Sequence, residues 1–362
     1  MKNIWHNLPR PFFILAPMEA VTDVVFRHVV KKAAAPDLFF TEFTNATGWV
    51  HAGEKAIRGR LIKTEDENPI IAQIWGGEVG DMARLAEYCR ELGYQGIDIN
   101  MGCPAKSAVK SGGSALIRNP ELAAAAIAAA KTAGLPVSVK TRLGYTHIAE
   151  WRDWLTHLLR QDIVNLTIHL RTKKEMSKVP AHFELIPEIV ALRDEIAPHT
   201  LLTINGDIRD RAHGEELVEQ YGVDGVMIGR GIFHNPFAFA ATRAGVPGAV
   251  EPFDTSFSET SAAQVSLGLP RALAETWREA VDEKDGIEKG ERDNRSDAKT
   301  DLLNLLNYHL DLYDQWQPQL QRPFETLKRF FKIYIRDFDG ASELRNQLMQ
   351  TKSTDEVRKL LE

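Results

Sequence analysis

The sequence predicts an α/β fold, a closed (β/α)8 TIM barrel followed by a small C-terminal all-helical domain, on three observations. Short β-rich runs alternate with helical stretches from the N-terminus to about residue 240, which is the sequence form of repeated βα units. Polar and glycine-rich residues collect just after the strand-like runs, where a barrel of this kind builds its catalytic face. After Phe239 the rhythm stops, and regular helical periodicity returns from Asp301. A doubly wound open sheet is the alternative, because periodicity alone does not close a sheet.

Eight strand-like runs are readable, at 12–17, 38–43, 70–74, 96–100, 137–141, 164–169, 201–205 and 225–228. Most are continuous apolar runs, as strands covered on both faces require. Helical patterns at 79–91, 120–133, 148–160, 183–196 and 210–221 have the length of crossover connections. Residues 245–266 are rich in Gly, Pro, Ser and Thr, 267–281 can hold a short helix, and VDEKDGIEKGERDNRSDAKTD is a dense mixed-charge run. Such a run reads as solvated or disordered. The expected organisation is therefore 1–245 as the barrel, 246–300 as a charged, partly disordered insertion or linker, and 301–362 as a compact helical domain.

A chain of 362 residues with 44% hydrophobic content can bury a large core. Two cysteines give no disulfide framework. The apolar run in the opening MKNIWHNLPRPFFILAPM is too short for a signal peptide or a membrane span, so a soluble cytoplasmic protein is expected, a monomer by default. A formal net charge of -6 argues against indiscriminate coating of nucleic acid but allows a local basic face.

The chemistry centres on IDINMGCP at 97–104, where an apolar strand delivers Cys103 onto a Gly/Pro loop. Cys89 lies in an amphipathic helical pattern and reads as a small buried hydrophobe. A packed loop thiol is the plain alternative for Cys103. INGDI at 204–208 and MIGRG at 227–231 end the last two strands, where barrels often bind phosphate through turn amides and, here, Arg230. Lys140 interrupts an apolar strand, and a lysine entering a barrel mouth needs an anionic partner. With Gln73, His169 and the phosphate turns it offers donors to a planar cofactor with a phosphate tail. No CxxC, HExxH or histidine pair supports a metal site, and no GxSxG elbow supports a hydrolase. A thiol can instead donate a proton to carbon, a role that suits a reductase.

The assembled motifs resemble the tRNA-dihydrouridine synthase family. The resemblance rests on APMEAVTDVVFR at 16–27, AQIWGG at 72–77, DINMGCP at 98–104, VKTRLG at 139–144, IHLRT at 168–172, NGDI at 205–208 and GVMIGRG at 225–231. It implies an FMN-bearing barrel and a helical tRNA-binding domain. Carried over by position, it implies that Pro17, Met18, Gln73, Lys140, His169, Asn205, Asp207, Gly229 and Arg230 hold FMN. Cys103 would be the proton donor, and Asn100 and Arg142 would meet the substrate. NADPH would reduce the flavin, a hydride would reach C6 of uracil, and Cys103 would protonate C5.

The stretch IHLRTKKEMSKVPAHFE departs from the family's usual glycine after the histidine, so this loop's substrate contacts are not carried over. RNA phosphates are expected at Lys328 and Arg329 within QRPFETLKRFFKIYIRDF, and around Arg58, Arg60, Lys63, Lys106 and Lys110. Two other readings stand beside this one: an FMN-dependent barrel reductase acting on a small molecule, and a non-catalytic RNA-binding protein with the same fold.

Overall fold

In the computed structural model, which describes residues 3–57, 59–109, 112–241 and 294–362, the chain forms two compact units, Met1–Gln264 and Val265–Glu362. The first contains strands β1 (Phe12–Leu15), β2 (Phe39–Phe40), β3 (Thr44–Asn45), β4 (Ile70–Trp75), β5 (Ile97–Asn100), β6 (Val137–Arg142), β7 (Asn165–His169), β8 (Leu201–Asn205) and β9 (Gly225–Ile228). Every pairing is parallel, in the order β1-β9-β8-β7-β6-β5-β4-β2, with β3 also on β4. A bridge between Ile14 and Leu38 closes the ring. All eight expected strands are therefore present, and the expectation of closure is met.

The second stave is broken into β2 and β3. Phe40 pairs with Ile71 but Thr44 pairs with Ile74, so one extra residue is accommodated between them, the signature of a bulge. Thr41 fills the gap: its amide donates to the Ile71 carbonyl at 3.0 Å and its hydroxyl accepts from the Gln73 amide at 3.0 Å. A side chain thus replaces a ladder carbonyl, and the sequence pattern carries no sign of it.

Among the described residues the helices of this unit are α1 (Val24–Ala34), α2 (Ala46–Ala52), α3 (Glu54–Ile57), α4 (Val79–Glu91), α5 (Lys106–Val109), α6 (Pro120–Lys131), α7 (Trp151–Leu159), α8 (Ile186–Ile196), α9 (Arg211–Tyr221) and α10 (Gly231–His234). Their starts follow capping chemistry. Asp23 accepts from the Phe26 amide, Asn119 from that of Leu122 ahead of Pro120, and Asp210 from that of His213. The helical patterns beginning at 148 and 183 each open with one 3-10 turn, Ile148–Glu150 and Phe183–Leu185. Arg27, fully buried on α1, meets Glu67 at 2.5 Å and donates to the carbonyls of Thr22 and Ile62, so the APM-to-FR opening is also a structural clamp. Leaving either charge of such a buried pair alone costs about 3–5 kcal/mol.

The barrel interior has two characters. Around β9, β1 and β2 it is apolar, with Phe12, Ile14, Phe40, Ile71 and Met227 buried against Trp5, whose ring meets Phe12 and Phe40 edge-on at 5.7 and 6.4 Å. From β4 to β8 it carries a hydrogen-bonded polar layer. Ser138 donates to Asp98, while Thr203 and Thr167 bracket Asn165 at 2.7 and 3.0 Å. Buried polar groups are tolerated only when paired like this.

The second unit contains α11 (Asn294–Leu320), α12 (Glu325–Lys328), α13 (Phe331–Tyr334), α14 (Ala341–Leu348) and α15 (Thr354–Leu361). Among the described residues the helix Asn294–Leu320 begins ahead of the expected 301, while the expected helix at 267–281 and most of the charged run lie outside the described residues. PFETLKRFFKIYIRDF is two single-turn helices rather than one continuous helix. Its apolar residues still bury Leu327, Phe331, Ile333 and Tyr334. Buried His309 bonds the Tyr334 hydroxyl at 2.7 Å, and burial holds its pKa down to about 3. No helix among the described residues is long and apolar enough to cross a membrane.

Candidate active site at the carboxyl end of the barrel

The residues singled out from the sequence gather at the carboxyl ends of the strands. Asn100 and Lys140 are register partners on β5 and β6, and the Met101 amide donates to the Lys140 carbonyl at 2.8 Å. Asn100 is 6% exposed, and its carbonyl oxygen accepts from the amides of Gly102 and Cys103 at 3.1 and 2.9 Å. This turn bends the chain as it leaves the strand and leaves Cys103 half-buried. Cys89 is fully buried on α4, and burial pushes its thiol far above the usual range. The two cysteines thus divide into a core residue and a candidate reactive one.

Lys140 stands beside this loop. Its ammonium has neither a hydrogen bond nor an ion pair among the described residues. Some of the side chain stays accessible, yet the tip is enclosed enough that desolvation, with Arg142 nearby, lowers its pKa to about 8, against the opposing pull of Asp98 and Cys103. An enclosed cation of this kind is incomplete without an anionic neighbour. Gln73 from β4 lies in the same layer. Its amide nitrogen donates to Asp98 at 2.7 Å and its oxygen accepts from Asn100 at 3.0 Å.

Across the mouth, His169, Arg171, Asp207 and Arg230 form a second group. Arg171 is 2% exposed and donates to the Val179 carbonyl, to His169 Nε2 at 3.1 Å and to Asp207. A guanidinium only donates, so His169 Nε2 accepts and the imidazole proton sits on Nδ1. Desolvation, then Arg142, Lys140, Arg171 and Arg230, hold His169 neutral. Asp207, in a left-handed conformation at φ 51°, also accepts from Arg230 at 3.2 Å and from the Ala181 amide at 2.9 Å. Gly206 before it has φ 119°, and a Cβ there would lie 3.1 Å from the His169 ring, so glycine is needed. At Gly229 a Cβ would meet only Ala16, at an ordinary 3.5 Å, which leaves that turn open to a close-lying group. Asn205 donates to the Met227 carbonyl at 2.8 Å, and the Met18 carbonyl accepts from Thr22 in the turn after buried Pro17.

Several residues expected to make outside contacts are engaged within the protein. Arg142, expected to meet the substrate, is 6% exposed and donates to the carbonyls of Gly102 at 2.8 Å, Thr172 at 3.2 Å and Met176 at 2.8 Å, tying the loops after β5 and β7 together. The carboxylate of Asp207, expected to hold FMN, faces Arg171 and Arg230 and so organises these two cations. Lys328 is 9% exposed and donates to the Met349 carbonyl at 3.0 Å beside Glu325 at 3.0 Å, which removes it from a phosphate-facing surface. Arg329 is half-buried, with Nε donating to the Thr326 carbonyl. Arg60 pairs with Glu19, and Lys63 lies over the Tyr94 ring at 5.4 Å. Arg58 and Lys110 lie outside the described residues.

Two residues were undervalued by sequence reasoning. Asp98, a carboxylate inside the apolar run IDIN, bonds Gln73, and Arg171, two residues after His169, bonds both His169 and Asp207. A cavity of about 550 Å3 on the outer flank, lined by Ile117, Tyr145, Trp154 and His157 among others, contains none of these groups. No cluster of three His, Cys, Asp or Glu side chains among the described residues is arranged to hold a metal ion.

Comparison with known proteins agrees with the geometry. The family model described as dihydrouridine synthase (Dus) matches residues 14–271. The chain is 53% identical to the probable tRNA-dihydrouridine synthase 2 of Bacillus subtilis strain 168 over its whole length and 96% of that protein. It is 51% identical to a probable tRNA-dihydrouridine synthase of Staphylococcus aureus strain Mu50, over its whole length and 95% of that protein. A probable tRNA-dihydrouridine synthase of Staphylococcus epidermidis strain RP62A is 50% identical over the whole chain and 96% of its own length. With a family model covering most of the barrel and relatives at half identity from end to end, the chain belongs to the dihydrouridine synthase family.

Proposed function

We propose that this chain is a tRNA-dihydrouridine synthase that reduces the C5–C6 double bond of uridines in tRNA, using FMN and NADPH. The observation that carries the reading is a half-buried thiol, Cys103, on a loop beside an enclosed ammonium, Lys140, that makes no ion pair among the described residues. The names of the full-length relatives supply the substrate class.

The residues present fit FMN. Lys140 wants a negative neighbour, Gln73 retains an amide proton beyond the one given to Asp98, and neutral His169 carries its proton on Nδ1. Arg230, with a third of its side chain exposed, and the open turn at Gly229 suit a phosphate. Bound FMN would take a hydride from NADPH and supply it to C6 of uracil. Lys140 would hold positive charge where the reduced ring is negative. Cys103 gives its thiol proton to C5, and the thiolate regains one from solvent, so the ring gains one hydride and one proton. Asn100 holds the Cys103 amide, and Arg142 braces the same loop through Gly102. A uridine stacked in folded RNA cannot enter a barrel mouth, so it must be extruded. The helical unit is assigned to tRNA binding through cations other than Lys328, such as exposed Lys332.

Purified protein should show flavin absorption and should form dihydrouridine in unmodified tRNA with NADPH. Cys103→Ala should keep its flavin and lose about 10²–10⁴-fold in rate, the usual worth of a positioned general acid. Protein without flavin rejects the reading. Flavin-bearing protein active on free pyrimidines or enones but on no tRNA would turn it into a small-molecule reductase.

A further inference from the structure

Asp98 is an ionisable side chain of the barrel interior to which the mechanism above gives no task. It is fully buried, and it lies in register with Gln73 on one side and Ser138 on the other. Each carboxylate oxygen accepts one short hydrogen bond, from Ser138 Oγ at 2.7 Å and from Gln73 Nε2 at 2.7 Å. Beyond Gln73 the bonds continue in one direction. Asn100 Nδ2 donates to Gln73 Oε1 at 3.0 Å, and Asn100 Oδ1 accepts the amides of Gly102 and Cys103.

The direction of this chain is forced from both ends. Main-chain amides only donate, so Asn100 must turn its oxygen to the Cys103 loop and its nitrogen to Gln73. Gln73 must then offer its oxygen to Asn100 and its nitrogen inwards. An inward amide nitrogen needs an acceptor, and a carboxylate accepts without requiring an orientation of its own. An amide at position 98 could turn the wrong way. It would then face Gln73 with a donor, and relief by flipping Gln73 and Asn100 in turn would remove the acceptor from the Cys103 loop. Burial is the leading influence on the Asp98 carboxyl and raises its pKa to about 6, opposed by Ser138, Gln73 and Lys140.

We propose that Asp98 is a positioning residue: its carboxylate sets the amide orientation of Gln73 and Asn100, and through them holds the Cys103 loop and presents the remaining Gln73 N–H at the barrel mouth. The flavin part of this rests on the reading given above. The thiol part does not.

The test is Asp98→Asn in the full chain, read in three ways. Alkylation of Cys103 by iodoacetamide, followed on its own peptide because Cys89 is buried, should speed up about fivefold, the equivalent of one hydrogen bond's net contribution. The flavin midpoint potential should rise, because a negative charge is lost beside Lys140. Dihydrouridine formation should lose roughly tenfold or more in kcat with KM for tRNA unchanged, the pattern of misplaced reacting groups. A purely structural role would lower the melting temperature and leave the potential and the kcat-to-KM split alone. Wild-type alkylation, potential and kcat in a folded Asp98→Asn protein would overturn the proposal.

Should that variant not fold, Ser138→Ala removes one of the two bonds to the carboxylate without adding bulk. It should move the alkylation rate and the potential in the same directions by smaller amounts, and no movement would count against the proposal equally. If wild-type protein holds no flavin, the functional reading falls and the Asp98 link is judged by alkylation alone.

Discussion

The two arcs of the barrel mouth solve the problem of enclosed charge in opposite ways. On the β7–β9 side the cations are answered within the protein: Arg171 and Arg230 share Asp207, and His169, held neutral above all by burial, accepts from Arg171. On the β4–β6 side Gln73 and Asn100 form a neutral amide chain, and Lys140 is left with no counterion among the described residues. Desolvation works on both arcs, lowering the pKa of His169 and Arg230 on the first and that of the Lys140 ammonium, to about 8, on the second. The difference teaches where each arc gets its order: the first from ion pairs at the mouth, the second from the buried Asp98 carboxylate and the amides it orients, which leaves Lys140 to an anion from outside.

Replacing Lys140 by methionine breaks the comparison hardest. Little protein structure depends on the ammonium, so Tm should hold, while kcat/KM for dihydrouridine formation should fall about 10²–10³-fold, the size seen when one preorganised electrostatic donor is removed. Steady-state kinetics beside a thermal melt decide it. An equal loss of Tm would mean that Lys140 is structural after all.

On the opposite arc the balance should reverse. Asp207→Ala leaves buried Arg171 without its carboxylate, so calorimetry on flavin-free protein should record a loss of about 2 kcal/mol, below the 3–5 kcal/mol of a wholly buried pair because Asp207 is a quarter exposed. A change within about 0.5 kcal/mol, ordinary for a surface site, would show the arginines to be satisfied without it.

The smallest effect is a pH slope. In flavin-free protein Lys140 has its pKa lowered from 10.5 to about 8. Between those values the unfolded chain holds a proton that the folded chain has released. Stability contributed by this group therefore rises as pH goes from about 8 to 10.5 and is absent below that window. Urea midpoints should show an upward contribution in wild type that Lys140→Met lacks; identical slopes would place the ammonium in water.

Much of the barrel was legible because burial on both faces writes itself as apolar runs, as in IIAQIW and FFIL. The break in the second stave was not, since Thr41 acts through a hydroxyl that sequence periodicity does not weigh. The site residues were legible as a set through motif order. Their individual tasks were less so, because what a cation touches depends on which carbonyls the fold brings near it. Arg142, with three such carbonyls, became a brace, and Lys328, with Met349 beneath it, became a core residue. Asp98 gave a signal, an acid inside an apolar strand, whose meaning depended on Gln73 and Ser138 arriving from neighbouring strands.

The ring closes where β1 meets β9, Phe12 against Gly225, partners more than two hundred residues apart in the chain. During synthesis at about 5–20 residues per second, the first strand waits roughly 10–40 s before its partner is made. For that interval Phe12 to Leu15, all buried in the finished barrel, lack one flank and present an open edge to other chains. The nascent chain therefore passes through a stage when it depends on helpers that shield sticky segments, and heavy overproduction should fail first by clumping of unfinished chains rather than by weakness of the completed ring.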